Sequence, residues 1–258
     1  MDEAIPPIEL SPIAEPAAPR LPGVVVVRSD ADAVIDALLA DLFIHAGNCV
    51  RTFGDFHFAV SAAPEVEPAL RRLMYDLSYR DFPWSRTRVW MVEEVAVGDD
   101  DERQRWPGVR DLIAEVSGIP PEQAHRILAR EPDAATRYEA LLREHLGWRE
   151  KGHDRLDFVL LPLQAGLAIG GVVPAAGADA PLVETRGVES PARVAMTTRL
   201  VNSARLVALL AAGRTLAPEV ARLAALRAAR QNDPNAPATL LSPRASELRW
   251  YVDHAACG

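Results

Sequence analysis

The sequence predicts an α/β protein of three layers, in which helices cover both faces of a mainly parallel sheet. Three observations predict this fold class. Short apolar or β-branched runs alternate along the chain with segments of helical periodicity, the order that builds a parallel sheet. The chain has 258 residues, enough for one large domain. The apolar segment 156–174 is typical of a buried strand ending in a glycine-rich loop, where open α/β sheets place ligands.

Residues 23–258 are predicted to form this single domain, and residues 1–22 a disordered tail. The tail is rich in Pro, Ala and Glu, a composition that buries too little apolar surface to fold. It has neither the basic start of a signal peptide nor the long apolar run of a membrane span. We therefore expect no membrane association.

Charge and cysteine content argue against several kinds of partner and site. The net charge of -8 disfavours nucleic acid, because a phosphate-binding surface needs a cationic field. Cys49 and Cys257 are the only cysteines, which fits a reducing, cytoplasmic location and supplies no metal-ligand cluster. We expect no metal and no cofactor.

Strands are predicted where a short apolar or β-branched run stands between turn signals. The first, 24–27, is wholly apolar, as in a strand covered on both faces. The other runs are 56–61, 88–92, the first part of 156–174, 181–184, 193–197 and 206–210.

Helices are predicted where apolar residues recur every three to four positions. The first begins at Ser29 or Asp30 and ends at Gly47, where a left-handed C-cap belongs. The second carries an apolar stripe from Val66 to Leu77. The remaining helical segments are 112–116, 123–128, 134–146 and 217–229.

Three histidines in these elements are expected to be structural. His57 lies within the second strand, and we expect it to be packed or edge-exposed. His125 and His145 lie in predicted helices without a matching acid or cysteine nearby in sequence. We expect surface or helix-end positions for both.

The turn 61–65, Ser-Ala-Ala-Pro-Glu, joins the second strand to the second helix. A glycine-rich turn in this place cradles phosphate with free backbone N–H groups. Here Pro64 removes one donor, and Glu65 would occupy or repel the anion site. We expect the turn to cap the helix and not to bind phosphate.

Glu93 and Glu94 follow the third strand. Two neighbouring acids form an acid/base pair when their environments separate their pKa values. Adjacent residues of an extended strand point to opposite faces, however. We expect these carboxylates to be solvated or ion-paired and not to act together.

The loop at the end of segment 156–174 carries three glycines and almost no reactive side chain. Gln164 is the only polar side chain between Leu161 and Pro174. The place where the fold predicts a site therefore lacks a base, a nucleophile and a cation.

The frame of this loop resembles the 6-phosphogluconolactonase segment of the sugar-phosphate isomerase and lactonase superfamily, roughly L-G-M-G-E-D-G-H-T-A-S-L-F-P. Without a gap, Leu161 takes the first position and Pro174 the last. The family's acidic residues then fall on Ala165 and Gly166, and its catalytic histidine on Ala168. The resemblance implies the family's α/β fold and a chain with no catalytic residue in the family's position.

Further segments resemble the family in the same order from about residue 24 onward. Its S-G-G-S-T-P falls on the turn that begins at Ser61, and its D-E-R on 93–95. Its phosphate-contacting lysine falls on Leu216, whereas Arg193 keeps the family residue of an R-I-T-L-T strand. The resemblance implies a vestigial substrate cleft formed by Ser61, Glu93, Glu94, Gln164 and Arg193.

Three functions are consistent with these residues. The first is a pseudoenzyme of carbohydrate metabolism that has lost lactonase activity and binds a protein or small-molecule partner. The second is an active 6-phosphogluconolactonase, or a related sugar-lactone or ester hydrolase of the pentose phosphate pathway. It would have either residual family activity or a relocated site that uses Glu93, Glu94, His153 or Arg193. The third is a sugar-phosphate isomerase or deaminase. For the first we expect a small, apolar cleft with Glu93 or Glu94 at its edge.

Overall fold

A computed structural model describes residues 16–147, 155–175, 177, 179–187, 191–242 and 247–258. Within them the strands are β1 (Val24–Arg28), β2 (Phe56–Val60), β3 (Thr87–Met91), β4 (Glu93–Val95), β5 (Ala124–His125), β6 (Phe158–Gln164), β7 (Ala168–Ile169), β8 (Val183–Arg186), β9 (Arg193–Met196), β10 (Leu206–Ala211) and β11 (Glu247–Asp253). The α-helices of these residues are α1 (Ala31–Phe53), α2 (Glu67–Tyr75), α3 (Trp106–Val109), α4 (Ala134–Leu146), α5 (Thr198–Ser203), α6 (Ala217–Ala228) and α7 (His254–Cys257).

The main sheet has the order β1-β11-β10-β6-β2-β3-β5, and every neighbouring pair on this path is parallel. The short strand β7 pairs with β6 in the antiparallel sense. A second, antiparallel sheet has the order β4-β9-β8. The predicted mainly parallel α/β fold is confirmed.

Helices lie on both faces of the main sheet. Consecutive strand residues point to opposite faces, so Phe56 and His57 mark the two sides of β2. The ring of His45, on α1, lies 6.3 Å from that of Phe56. On the other face, His57 stacks against Trp90, and the ring centroid of Tyr138, on α4, lies 6.0 Å from that of the same indole. The sheet is therefore the middle layer of three.

Helix α1 begins at the predicted Asp30, whose carboxylate accepts a hydrogen bond from the N–H of Ala33 at 2.9 Å. The predicted end at Gly47 is wrong, because the helix continues to Phe53 and stops at Gly54, which has a φ of +90°. Glycine inside a helix costs only about 1 kcal/mol. Continued burial of the apolar stripe through Cys49 outweighs that cost.

By length and composition alone, α1 is apolar enough to cross a membrane. Core helices of folded domains pass the same test, and α1 packs its apolar stripe on the sheet through buried residues such as Leu38, Leu39 and Leu42. This is weak evidence for a membrane span. The expectation of no membrane association stays a prediction.

Strand β1 was expected to be covered on both faces, and this is wrong. It forms the edge of the sheet, where Val24 is 47% exposed. The inner position belongs to β11, which pairs with both β1 and β10. Strand β11 is not among the strands predicted from the sequence.

Two helix predictions are corrected. Leu77 was assigned to the apolar stripe of α2, but the helix ends at Tyr75 and Leu77 is 80% exposed. Segment 123–128 is not helical: a short 3₁₀ turn ends at Gln123, and β5 follows. His125 consequently lies in a strand, buried in the sheet beside Trp90. The prediction of a surface or helix-end position for His125 is wrong.

The other predicted elements agree with the structure within a few residues. They include β3, α4, β9, β10 and α6. Segment 112–116 overlaps a single π-helical turn, 110–114, that continues α3. The predicted strand 181–184 lies at 183–186.

The topology of the sheet creates a crevice between β2 and β6. After β2 the chain builds outward through β3 and β5, whereas after β6 it builds toward the opposite edge through β10 and β11. Neighbouring parallel strands whose connections diverge in this way leave a crevice at their carboxyl ends, where α/β sheets bind ligands. Ser61 follows β2 and Gln164 ends β6, so both border this crevice.

Candidate functional site

The floor of the crevice is filled by the loop that follows β6. Ser61 is fully buried, and its backbone N–H donates to the carbonyl of Leu160 at 3.1 Å. Gly170 lies directly on it: a Cβ at Gly170 would stand 2.8 Å from the Cβ of Ser61. The loop thus reaches the serine so closely that only glycine fits between them.

Three backbone N–H groups in and directly after the turn that starts at Ser61 have their acceptors within the turn. Ala63 donates to the Ser61 hydroxyl at 3.4 Å, and Val66 donates to the carbonyl of Ala63 at 3.0 Å. Glu67 donates to the carbonyl of Pro64 at 3.2 Å. The expected helix cap is not formed, since α2 has no side-chain cap hydrogen bond. These N–H groups are committed to the turn itself.

Two carboxylates hold the rim of the loop. The amide of Gln164 donates to the carboxylate of Glu65 at 3.1 Å, which joins the loop to the turn after β2. The N–H of Gly166 donates to Glu219, in the first turn of α6, at 2.9 Å. Protein acids therefore occupy hydrogen-bonding positions on two sides of the crevice.

Glu93 occupies a third side. Its side chain is 3% exposed, and its carboxylate is paired with the guanidinium of Arg193 across β4 and β9. The same carboxylate lies against Gly171, where a Cβ would stand 1.8 Å from Oε2. Arg105 approaches from the loop before α3, with Nε 3.6 Å from Oε1. The predicted cleft residues Glu93 and Arg193 are thus brought together as a buried ion pair.

Glu94 points away from Glu93, as expected for adjacent residues of a strand. Its carboxylate accepts hydrogen bonds from the backbone N–H groups of Val95, Arg105 and Trp106, at 2.7 to 2.8 Å. Burial raises the pKa of Glu94, and these three hydrogen bonds oppose the shift. Glu94 therefore anchors the start of α3 and does not form an acid/base pair with Glu93.

Ala168, the position that the resemblance gives to the catalytic histidine, opens the short strand β7 opposite Gln164. The two residues before it have left-handed backbone, with φ of +72° at Gly166 and +60° at Leu167. Leu167 is fully buried although its conformation is unfavourable for a residue with a side chain. The methyl group of Ala168 offers no proton acceptor at this point.

A cleft of about 370 Å³ lies beside the crevice, between the loop after β4 and the segment after β5. Its lining includes Glu94, Trp106, Arg126, Leu128 and Arg130. Neither the turn after β2 nor the loop after β6 lines this cleft, so the expectation of a small, apolar cleft with Glu93 or Glu94 at its edge stays a prediction.

The structure brings three of the five predicted cleft residues together: Ser61 lies against the loop after β6, and Glu93 pairs with Arg193. Gln164 lies at the rim of that loop, and Glu94 lines the neighbouring cleft of about 370 Å³. His153 lies outside the described residues. Among the described residues, no group of three or more His, Cys, Asp or Glu side chains could hold a metal ion. Sequence reasoning missed Arg105 and Glu219 as cleft residues, since nothing in their local pattern indicates the contact.

The family model for glucosamine-6-phosphate isomerases/6-phosphogluconolactonase matches residues 29–166, just over half of the chain. The chain is 24% identical over 245 residues to the GDH/6PGL endoplasmic bifunctional protein of Homo sapiens, with 90% of this chain and 30% of that protein covered. It is 22% identical over 226 residues to the probable 6-phosphogluconolactonase 1 of Oryza sativa subsp. japonica, with 80% and 74% covered. The chain thus spans less than a third of the length of the human relative.

Solved structures with the same fold include the devB protein, with a TM-score of 0.75, 23% identity and coverage of 91% of this chain and 98% of that one. They also include 6-phosphogluconolactonase from Thermotoga maritima, with a TM-score of 0.72, 18% identity and coverage of 89% and 99%. At these identities the likeness concerns the fold.

Proposed function

The chain belongs to the family of glucosamine-6-phosphate isomerases and 6-phosphogluconolactonases, and from this premise we propose that it has lost lactonase activity. In this proposal the family scaffold serves a binding or regulatory role toward a protein or a small molecule. The observation that carries it is a crevice closed by its own loop and carboxylates, with Ala168 where the resemblance places the catalytic histidine.

The absence of a proton acceptor at Ala168 supports the loss of hydrolysis. A positioned general base contributes roughly 10² to 10⁴-fold to a rate. Glu93 is paired with arginine, and Glu94 accepts three backbone hydrogen bonds, so neither carboxylate is poised to activate water. The relocated hydrolase site considered from the sequence gains no support from either acid.

The electrostatics of the crevice support the loss of sugar-phosphate binding. Carboxylates of Glu65, Glu93 and Glu219 border the loop on three sides. Pro64 has no N–H in the turn after β2, the N–H groups of Ala63 and Val66 have acceptors within that turn, and Leu216 is apolar at the position of the family's lysine. A dianionic phosphate would be repelled by like charge, and it would have to displace Glu93 to reach the guanidinium of Arg193. The same reasoning disfavours the isomerase or deaminase alternative.

The setting proposed for this function is cytoplasmic, without a nucleic-acid or membrane partner. The net charge of -8 and the two cysteines support it. A link to the pentose phosphate pathway would then be one of binding or regulation, not of turnover.

An activity assay tests the proposal. Purified full-length chain is incubated with freshly prepared 6-phosphogluconolactone, beside an active lactonase as positive control and a no-protein blank. We expect hydrolysis at the spontaneous rate. Turnover that scales with protein concentration and is lost in Glu93→Gln would restore the hydrolase alternative and reject the proposed loss.

A further inference from the structure

Two arginines converge on one buried carboxylate at the β4–β9 corner of the crevice. Arg193 donates to Oε2 of Glu93, while Nε of Arg105 lies 3.6 Å from Oε1. The second separation is too long for a hydrogen bond, and Nε of Arg105 is buried without a hydrogen-bond partner. The corner therefore holds more cationic donor capacity than its own carboxylate uses.

The surroundings of the Glu93 carboxylate fit a small oxyanion. One side is the bare Cα of Gly171, which leaves room for an oxygen atom where any side chain would collide. The neighbouring acid, Glu94, is turned away and satisfied by backbone N–H groups, so it does not neutralise the arginines. The side chain of Arg193 is 42% exposed, which opens the corner to solvent.

We infer that Arg105 and Arg193 form an oxyanion-binding site that this chain closes with its own carboxylate, Glu93. The ligand class is a carboxylate or phosphate group, whose oxygens would take the place of Oε1 and Oε2. Anion binding by Arg105 and Arg193 is independent of the proposed loss of lactone hydrolysis, so each can be shown wrong without the other.

The internal carboxylate explains why an external anion competes poorly in the natural chain. Glu93 is tethered beside both guanidinium groups, so its effective concentration exceeds that of a dissolved competitor. With Glu93 truncated, two guanidinium groups face a space lined by Gly171, and an oxyanion gains charge-assisted hydrogen bonds there.

Chemical rescue of Glu93→Ala tests the inference. Thermal unfolding and calorimetry of the full chain are followed with sodium formate, with inorganic phosphate and with sodium chloride as an ionic-strength control. We expect the variant to unfold at a lower temperature than the natural chain and to regain stability saturably with formate. Its apparent affinity for formate should exceed that of the natural chain by at least about tenfold, the gain of one charge-assisted contact. A response to phosphate as well would define a general oxyanion site, and a response to formate alone a carboxylate site.

Two further variants keep the test decisive. Glu93→Ala combined with Arg193→Ala should lose the formate response, because one of the two cations is removed. Glu93→Ser also vacates the space beside Gly171, so it replaces the alanine variant if that variant does not fold, and the same saturable response to formate is expected from it. A folded Glu93 variant that responds to formate and phosphate no more than to chloride overturns the inference.

Discussion

The carboxylate of Glu93 rests on the bare Cα of Gly171, so closely that a Cβ at position 171 would stand 1.8 Å from Oε2. The family pattern carries serine at this position, and a serine side chain does not fit beside Glu93 in this chain. The larger acid on β4 and the glycine in the loop therefore depend on each other. Through this contact the loop after β6 packs against the ends of β4 and β9, where Glu93 pairs with Arg193.

Gly171→Ala should be strongly destabilising, by about 3 kcal/mol or more, because the left-handed backbone and the collision with Glu93 act together. The matched control is Gly54→Ala: Gly54 has a φ of +90° but nothing within 4 Å of the added methyl. That control should cost only the backbone term, roughly 1–2 kcal/mol. Urea unfolding measures both, and equal losses in the two variants would contradict the collision.

Leu167→Gly should be no less stable than Leu167→Ala. Both lose a fully buried side chain, but glycine also relieves the φ of +60° at this position. Leu160 is buried in the extended strand β6. There Leu160→Gly should be less stable than Leu160→Ala, by about 1 kcal/mol in the free energy of unfolding. Chemical denaturation of the four variants decides it. A glycine penalty at 167 as large as that at 160 would mean that the left-handed conformation costs nothing.

Ala168→His alone should not restore lactonase activity. The imidazole would supply a base, but Pro64 still removes one N–H from the turn after β2, and Leu216 still provides no cation. The lactone assay, with circular dichroism as a check of folding, measures the outcome. Turnover by the folded variant would show that the substrate grip survives despite the three surrounding carboxylates.

Neither 6-phosphogluconate nor glucosamine 6-phosphate should bind the natural chain at millimolar concentration. Glu93 already holds Arg193, and Glu65 and Glu219 add like charge at the rim. Isothermal titration calorimetry at low and high salt measures it. Saturable binding that weakens with salt and disappears in Arg193→Ala would show a working phosphate site.

Stability should fall in acid through His125. This ring stacks on Trp90 with centroids 3.8 Å apart, its Nε2 is buried without a partner, and burial, with the nearby His145 and Arg88, lowers its pKa to about 3. A histidine with a lowered folded pKa contributes stability that is complete above its unfolded pKa near 6.5 and is lost as pH falls toward 3. Between pH 6.5 and 5 the loss from this residue should be roughly 1.5 kcal/mol.

The matched variant is His125→Phe, which keeps an aromatic ring against Trp90 and cannot titrate. Its free energy of unfolding should depend less on pH across this interval than that of the natural chain. His45, whose pKa burial also lowers, contributes with the same sign in both proteins and therefore cancels in the comparison. Parallel stability curves for the two proteins would remove His125 as a source of acid sensitivity.

Local sequence signals were enough to predict the elements that are specified by residues close together in the chain. Asp30 caps α1, segment 134–146 is a helix, and the runs at 88–92 and 206–210 are strands within one residue at either end. Each of these depends on periodicity or on a cap within a few residues of chain. The alternation of such elements also determines the mainly parallel α/β fold, because parallel neighbours need crossover connections.

Elements that depend on distant partners were decided by tertiary structure. Strand β11 lies inside the sheet and β1 at its edge, because β1 and β10 pair with β11 on either side. His125 joins the sheet because Trp90 and its strand lie alongside. Gly47 continues a helix because the sheet buries the residues around it. In each case packing between elements far apart in the chain outweighs a local preference of about 1 kcal/mol or less.

The sequence by itself determined the correspondence with the family pattern, since placing Ala168 and Leu216 at the positions of the family's histidine and lysine requires no coordinates. Only the tertiary structure decided what fills the crevice instead. Arg193 lies 100 residues from Glu93 along the chain, and Glu219 lies 53 from Gly166. Ion pairs and hydrogen bonds of this kind leave no periodic trace in a sequence, because they form between loops and strand ends that the completed fold brings together.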